Sequence, residues 1–377
     1  MESNDSIGDT LPPQRFESLR YSAGGRFVRR YWLTIAFLGG FVTDTLLLNR
    51  VDDFIDNLIL FTYLLLAFVS MTGLYLGVAE RVGERLSQGL REWMPMVLQY
   101  AFGGLLSGMF IFYGRSGDWL VSAPLLLGFV AVMVANEVVE DRVSRVVYNL
   151  SLLFIGLFAY VVLLVPVLLG KMGPLIFVGS GFLALALMYA YIQLLATIIP
   201  HFLRLQMRGI VFCIGSIFVA YNGLYFTNII PPIPLSLQEI GIYHSVVRYD
   251  DSGEYRLRYE PSPWWQFWQK ESSVFRASNG GAVYCFSNIF APTQIATEVQ
   301  HRWEYRDTSG VWQKHAVISY PIRAVGSKGY RGYTKISNYH AGEYRCSVET
   351  TRGQVLGRHN FWIDPTATPT EFTTRVD

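Results

Sequence analysis

The stretch IIPPIP, residues 229–234, divides the chain into two parts of different character. Upstream of it, long apolar runs recur at lengths suited to membrane-spanning helices, which need about 20 residues to cross about 30 Å of hydrocarbon. Downstream, polar residues alternate with aromatic and β-branched residues, as in strands that bury one face. Because Pro231, Pro232 and Pro234 cannot continue a helix, the predicted domain boundary falls here.

The composition favours a membrane protein. Hydrophobic residues make up 51% of the 377 positions and charged residues only 16%, so most of the apolar surface must lie in lipid rather than in one soluble core. The formal net charge of +2, without a basic stripe that carries interleaved aromatics, argues against a nucleic-acid-binding protein.

Seven apolar runs before residue 230 are long enough to be spans. They are Tyr31–Leu48, Leu58–Val78, Pro95–Tyr113, Trp119–Ala135, Val147–Leu169, Leu175–Ile199 and Ile210–Ile229. Asn49 and Arg50 follow the first run where a removable signal peptide would have a small-residue cleavage site, which indicates an uncleaved signal anchor. We therefore predict an N-terminal segment over residues 1–30 and a seven-helix transmembrane domain over 31–229.

The distribution of basic residues predicts the orientation, because Lys and Arg are retained on the cytoplasmic side. The N-terminal segment and alternate connections carry twelve arginines: Arg15, Arg20, Arg26, Arg29, Arg30, Arg81, Arg85, Arg91, Arg142, Arg145, Arg204 and Arg208. The other connections carry only Arg50, Arg115 and Lys171. We expect a multi-pass protein of the bacterial inner membrane, with a cytoplasmic N-terminus and a periplasmic C-terminal domain.

Residues 230–364 predict an all-β domain, and the Pro- and Thr-rich residues 365–377 predict a disordered tail. The segment AGEYRC, Ala341–Cys346, resembles the immunoglobulin strand in which a Tyr lies two residues before a core Cys. Cys285 and Trp303 complete the Cys, Trp, Cys order of that fold. An immunoglobulin-like sandwich with a Cys285–Cys346 disulfide is the prediction, and two reduced core cysteines are the alternative.

Longer motifs resemble a bacterial protein family. TDTLLLNRVDDFIDN, IPPIPLSL, GIYHSV, PWWQFW, YRGYT and AGEYRCSVETTRGQVLG look like inner-membrane proteins that end in a domain of unknown function, family 2914. The resemblance implies an envelope protein with a periplasmic C-terminal domain. It implies no catalytic residue, cofactor or substrate.

Acidic residues gather near the outer end of the first predicted span. An ionised Asp44 inside the membrane is costly, so we expect it either to be hydrogen-bonded for helix packing or to form a proton, cation or headgroup site. Beyond Arg50, residues Asp52, Asp53 and Asp56 either cap the second span or bind a divalent cation. A further alternative is that these acids dock the outer domain through a basic patch comprising Lys328, Arg331 and Lys335.

The aromatic segment PWWQFW, residues 263–268, concentrates Trp264, Trp265, Phe267 and Trp268. We expect it to lie at the seam between the two domains and to cover the acids, with lipid headgroups or a glycan as alternative contacts.

The sequence therefore predicts an α-helical bundle of about seven spans followed by an immunoglobulin-like domain. Without a recognised catalytic or metal-binding motif, the favoured function is a non-catalytic scaffold or accessory subunit. Its expected partners are the bilayer, a membrane or periplasmic protein, a second copy or a lipid headgroup, with no cofactor, metal or nucleic acid. The alternatives are a membrane enzyme that acts on lipid-linked glycans or phospholipid headgroups through the outer acids, and a transporter.

Overall fold

A computed structural model describes residues 41–42, 44–48, 53–138, 145–249, 254–263, 265, 271–278, 280–291, 296–323, 329–369 and 371–377. Among these residues, six helices are long and apolar enough to cross a membrane, and a sheet-rich region follows them. This confirms the order of helices and strands that the sequence predicts. Of the first predicted span, Tyr31–Leu48, residues 41, 42 and 44–47 are helical, and residues 31–40 and 43 lie outside the described residues.

The six long helices follow one another with short connections. They are α1 (Phe54–Val78), α2 (Glu84–Arg115), α3 (Trp119–Val138), α4 (Val146–Leu169), α5 (Pro174–Ile198) and α6 (Pro200–Phe226). Helix α2 begins at Glu84 rather than at Pro95, and α6 begins at Pro200 rather than at Ile210. Hydropathy detects only the lipid-embedded part of a helix, whereas backbone hydrogen bonding continues into the polar turns beyond it.

Glycines allow α1 and α2 to pack closely. A Cβ atom at Gly104 would lie only 2.6 Å from the ring of Tyr63, and one at Gly108 would overlap the side chain of Leu60. Small residues at these two positions therefore let the backbones approach, as small residues commonly do between membrane helices.

The sheet-rich region contains eleven strands in its described part. They are β1 (Ser236–Tyr243), β2 (Ser245–Arg248), β3 (Tyr255–Tyr259), β4 (Val274–Arg276), β5 (Val283–Phe290), β6 (Ala296–Arg306), β7 (Trp312–Arg323), β8 (Tyr330–Ile336), β9 (Gly342–Thr350), β10 (Val355–Asp364) and β11 (Thr373–Val376). They form sheets with the orders β1-β5-β8, β4-β10-β9-β6-β7 and β11-β3-β2.

The first two sheets share one hydrophobic core. Cys285 of β5 and Ile336 of β8 pack in the same buried cluster as Trp303 of β6, Tyr344 of β9 and Phe361 of β10. The third sheet covers the other side of the first, since Val246 and Leu257 pack with Phe286. Alternation of apolar and polar residues along the strands is what allows one side of each strand to be buried in this way.

The C-terminal segment does not form the tail that the sequence predicts. Strand β11 pairs with β3 in antiparallel register from Thr373 opposite Tyr259 to Val376 opposite Arg256. The prediction of disorder over residues 365–377 is wrong for this strand, because low local hydrophobicity does not prevent a segment from completing the edge of an existing sheet.

Candidate functional site at the junction of helices and strands

Asp44 lies inside the helical bundle and is hydrogen-bonded. Tyr63 of α1 donates its hydroxyl to Oδ1 across 3.1 Å, and the hydroxyl of Ser107 of α2 donates to Oδ2. The Asp44 residue is only 3% exposed. Both carboxylate oxygens therefore have donors from neighbouring helices, which is the arrangement expected of an acid that supports helix packing.

The acids that follow Asp44 in the sequence do not share its environment. Asp53 is the N-cap of α1, where its Oδ1 accepts a hydrogen bond of 2.9 Å from the amide of Ile55. Asp56 is buried within the first turn of the same helix. Arg50 and Asp52 lie outside the described residues. Of the alternatives that the sequence leaves open, the structure gives Asp53 the capping role.

The described residues of the basic patch contact other residues of the β region. The Arg331 guanidinium lies 3.9 Å from the carboxylate of Asp377, at the C-terminal end of the chain. The ammonium of Lys335 lies 6.0 Å from the ring centre of Tyr284, within the same sheet. Lys328 lies outside the described residues. The contacts described for Arg331 and Lys335 are thus with their own domain, and the alternative that this patch docks onto the acids stays a prediction.

The described flanks of the aromatic segment, residues 260–263 and Glu271, lie toward the ends of β1 and β10 that are opposite to the ends beside the helices. Strand β1 begins beside the bundle, where Ser236 lines a cleft with Gly114–Leu120. Tyr243 lies at the other end of β1, about 23 Å away at roughly 3.3 Å per residue, and its hydroxyl donates to Glu271 across 2.8 Å. Trp265 is 57% exposed.

The described flanks therefore do not lie beside the helix ends, while the predicted contact of the segment with the seam and the acids stays a prediction. Trp264, Phe267 and Trp268 lie outside the described residues.

Buried charges hold the base of the aromatic segment. Glu260 accepts hydrogen bonds from Arg276 at 2.6 Å and contacts the His244 ring nitrogen at 2.8 Å. Pro261 and Glu271 form a bridge between the two flanks. Burial lowers the pKa of His244 below its usual value, although the Glu260 carboxylate acts in the opposite direction. Hydrogen bonds therefore hold both described flanks, the one before the segment and the one after it.

The β region contacts the helix ends nearest to it, and the segment that follows α6, through several hydrogen bonds. The Asp118 amide, before α3, donates to the Val355 carbonyl across 3.3 Å. Gln354 donates its side-chain amide to the Ile230 carbonyl at 3.1 Å, and Asn228 donates to the Arg352 carbonyl at 3.2 Å. Sequence reasoning missed all of these junction residues.

Arg352 occupies the turn between β9 and β10. Its guanidinium carbon lies 4.4 Å from the ring centre of Tyr225 in α6. The turn closes by a 2.8 Å hydrogen bond from the Gly353 amide to the Thr350 carbonyl, and Gly353 has φ +82°, a conformation that glycine adopts readily. The TRG tripeptide signals a turn, but no local pattern indicates that this turn faces the bundle.

A cavity of about 290 Å³ lies beside this turn. Its walls come from the outer ends of α4, α5 and α6, from the linker and from the β region: Val162, Pro166, Met172, Gly173, Pro174, Ile176, Phe177, Tyr225, Ile230, Pro231, Pro232, Ile233, Thr297, Thr350, Thr351, Arg352 and Gln354. Both predicted domains contribute side chains to it, and Arg352 faces it with a buried Nη1 atom that has no hydrogen-bond partner among the described residues, so it is the candidate binding site.

The core of the β region holds a second polar cluster. Cys285 and Cys346 are joined by a disulfide, and His301 lies beside them. The His301 ring contacts the hydroxyls of Ser287 and Thr334, each at 2.9 Å. Burial lowers the pKa of His301 to about 3, so the ring is neutral at physiological pH. Bonding between the two sulfurs removes the thiolates that a metal would require at this cluster.

Comparison with protein families matches residues 296–363 to the family described as "Protein of unknown function (DUF2914)". These residues run from β6 to β10. The match confirms the resemblance to family 2914 in the C-terminal part of the chain. A comparison with curated proteins found no match.

Two solved structures have only slight similarity to the chain. The β-glucosidase of Kluyveromyces marxianus is 13% identical with a TM-score of 0.17, and the match covers 25% of this chain and 13% of that chain. The alkylpurine DNA glycosylase AlkC of Pseudomonas fluorescens, bound to DNA containing an abasic site analogue, is 11% identical with a TM-score of 0.21. That match covers 79% of this chain and 78% of the glycosylase. Neither score supports a shared fold.

Proposed function

We propose that this protein, whose residues 296–363 match DUF2914, is a non-catalytic accessory subunit of the bacterial inner membrane that presents a periplasmic binding domain to a protein partner. The observation that carries the proposal is the fixed position of the aromatic segment's flanks at the free end of the β region. Hydrogen bonds tie the near end of this region to the helices, and buried ion pairs hold the flanks at its far end. Flanks that are held in place reduce the conformational entropy that the segment between them can lose on binding.

The proposed orientation rests on two independent observations. The helix ends that carry few basic residues, those at Asp118 and Met172, are the ends beside the β region. The Cys285–Cys346 disulfide also suits the periplasm, where thiols oxidise. We infer from both that residues 1–30 are cytoplasmic and that the β region is periplasmic.

The inferred immunoglobulin-like fold rests on the arrangement around the disulfide. Trp303 lies opposite Cys346 in the pairing of β6 with β9 and is fully buried. Tyr344 lies two residues before Cys346 and accepts a 3.2 Å hydrogen bond from the His340 amide. A buried tryptophan beside an intersheet disulfide, with a tyrosine bonded to the nearby backbone, is typical of that fold.

Photocrosslinking in cells tests the proposed role. A photoreactive phenylalanine derivative replacing Trp265 should crosslink to one periplasmic or membrane protein that mass spectrometry identifies. The matched control replaces Val247, which is 48% exposed on β2 of the same domain, and should give no such product. The absence of a protein adduct at position 265, or equal adducts at both positions, would overturn the proposal.

A cysteine-labelling experiment tests the orientation. A single cysteine placed at Ser309, in the exposed turn between β6 and β7, should react in intact cells with a thiol reagent that cannot cross the inner membrane. A cysteine that replaces Ser18 in the N-terminal segment should react only after lysis. The reverse result would refute a periplasmic β region.

A further inference from the structure

The junction cavity combines an apolar wall with a cation. The ends of α4 and α5 contribute Val162, Ile176 and Phe177, and the β region contributes Thr297, Thr350 and Arg352 on the other side. An apolar space with a few polar groups at one end matches the shape of an amphiphile, with a place for its tail and another for its head.

Arg352 has unused hydrogen-bonding capacity at this cavity. Its Nη1 atom is buried and has no hydrogen-bond partner among the residues that the structure describes. Within those residues, no carboxylate lies within 4.0 Å of its guanidinium nitrogens. The ring of Tyr225 covers one side of the guanidinium and its hydroxyl interacts with the same group, but Nη1 keeps hydrogens that an oxyanion would accept. Leaving such a donor unpaired is costly, so the site favours an anionic acceptor.

Phosphate is the anion that best suits these contacts. A guanidinium binds phosphate oxygens through paired hydrogen bonds, and the hydroxyls of Thr297 and Thr351 at the same cavity are available donors. The cavity lies at the outer helix ends, the depth at which phospholipid head groups meet the acyl region. Its volume of about 290 Å³ suits a head group and the first methylene groups rather than a whole lipid.

We propose that the junction cavity binds the phosphate group of an anionic lipid, with Arg352 as the residue that contacts it. Such a lipid would join the β region to the bundle, since its head group touches the β9–β10 turn while its chain follows α4 and α5. This inference concerns the near end of the β region and does not depend on the partner proposed for its far end.

Native mass spectrometry of the full chain in mild detergent tests the site, with phosphatidylglycerol and phosphatidylcholine as the added lipids. The unaltered protein should retain one phosphatidylglycerol at concentrations that leave phosphatidylcholine unbound. Arg352→Gln should weaken this binding at least about tenfold, the loss expected for a charge-assisted hydrogen bond, and Arg352→Lys should retain part of it. Ile176→Trp should block the cavity without altering any charge.

The matched control is Arg256→Gln. Arg256 is an exposed arginine of the same domain, and its guanidinium also lies over a tyrosine ring, 5.0 Å from the centre of Tyr249. Its replacement should leave lipid retention unchanged. Gel filtration and thermal unfolding of each variant separate loss of the site from loss of the fold.

The outcomes distinguish the sources of the phosphate. If the protein selectively retains phosphatidylglycerol, and if Arg352→Gln and Ile176→Trp both abolish this retention, the phosphate belongs to a lipid. Stabilisation by glycerol 3-phosphate that depends on Arg352, without lipid retention, supports the phosphate site but assigns it to a soluble ligand. If the folded protein binds neither probe, or if neither variant alters binding, the inference is refuted.

Discussion

The hydroxyl of Tyr63 donates a hydrogen bond of 3.1 Å to the Asp44 carboxylate, while Ser107 donates to its second oxygen. One acid thus joins the helical segment before α1 to α1 itself and to α2. The acid that the sequence marks as a candidate proton or ligand site has its oxygens occupied by structural donors, which favours the packing alternative.

We expect Asp44→Ala to lower the free energy of unfolding by about 1–3 kcal/mol, because it leaves two buried hydroxyls without their acceptor. Asp44→Asn should cost less, since its amide oxygen still accepts one hydrogen bond and its amino group can donate to the other hydroxyl. Unfolding of both variants by titration with denaturing detergent measures the difference. Equal stability of Asp44→Ala and the unaltered protein would contradict a packing role.

The N-cap of α1 should contribute less to stability than Asp44 does. Asp53→Ala should destabilise the protein by about 1 kcal/mol, because the first turn loses the side-chain acceptor of the Ile55 amide. Asp53→Ser preserves a capping oxygen and should restore most of that loss. If Asp53→Ser is as unstable as Asp53→Ala in the same unfolding assay, the carboxylate has another role, such as cation binding.

The disulfide is expected to stabilise the β region. Replacing Cys285 and Cys346 by alanine together should lower the free energy of unfolding by about 2–5 kcal/mol, since the bond closes a long loop. Cys213→Ala serves as the control, because Cys213 in α6 is the free cysteine of the described chain. Thermal unfolding measures the change. Labelling of three thiols in the folded protein would show instead that the pair is reduced.

Two histidines predict a loss of stability in acid. Burial lowers the pKa of His301 to about 3 and that of His359 to about 4, whereas an unfolded histidine has a value of 6.5. Both rings are neutral in the folded protein. Above pH 6.5 they are also neutral in the unfolded chain, so there they do not make the free energy of unfolding depend on pH. As the pH falls below 6.5, the unfolded chain takes up protons that the folded chain does not, and stability decreases until the pH passes the folded values.

Together the two rings contribute a slope that approaches, but does not exceed, about 2.7 kcal/mol per pH unit between pH 6 and pH 4.5, or about 1.4 for each histidine. Unfolding at a series of pH values measures it. His359→Gln should reduce the slope by about half, and His340→Gln, at an exposed position, should leave it unchanged. A slope that is insensitive to His359 would show that this ring is protonated in the fold.

Deletion of residues 371–377 tests the C-terminal strand. The deletion removes the ion pair between Arg375 and Glu239, 2.5 Å apart, and the backbone hydrogen bonds between Asp377 and Tyr255. We expect a loss of about 1–3 kcal/mol and faster proteolysis of the newly exposed edge of β3. Glu371→Gln, outside the strand, is the control. A deletion without effect on either measurement would restore the interpretation of this segment as a disordered tail.

The helices could be predicted closely because their signal is local. The apolar run Val147–Leu169 predicts α4, which spans Val146–Leu169, since membrane insertion depends on the hydrophobicity of that run alone. The change at residues 229–234 likewise predicts the boundary, because proline breaks a helix in any context. The pairing of Cys285 with Cys346 rested on a short motif typical of one fold, and the structure places a disulfide there.

The candidate site could not be predicted, because its residues come from segments that only folding brings together. Ile176 and Arg352 line one cavity although they belong to different domains, and their local sequences describe only an apolar helix start and a turn. Arg331 illustrates the same limit, since its charge suggested a contact with the acids, whereas strand pairing places it beside Asp377. Hydrophobicity and turn chemistry are properties of neighbouring residues, and the sequence by itself determined the membrane helices, their boundary and the class of the second domain. Strand pairing and helix packing join distant residues, so only the tertiary structure decided which side chains face the junction.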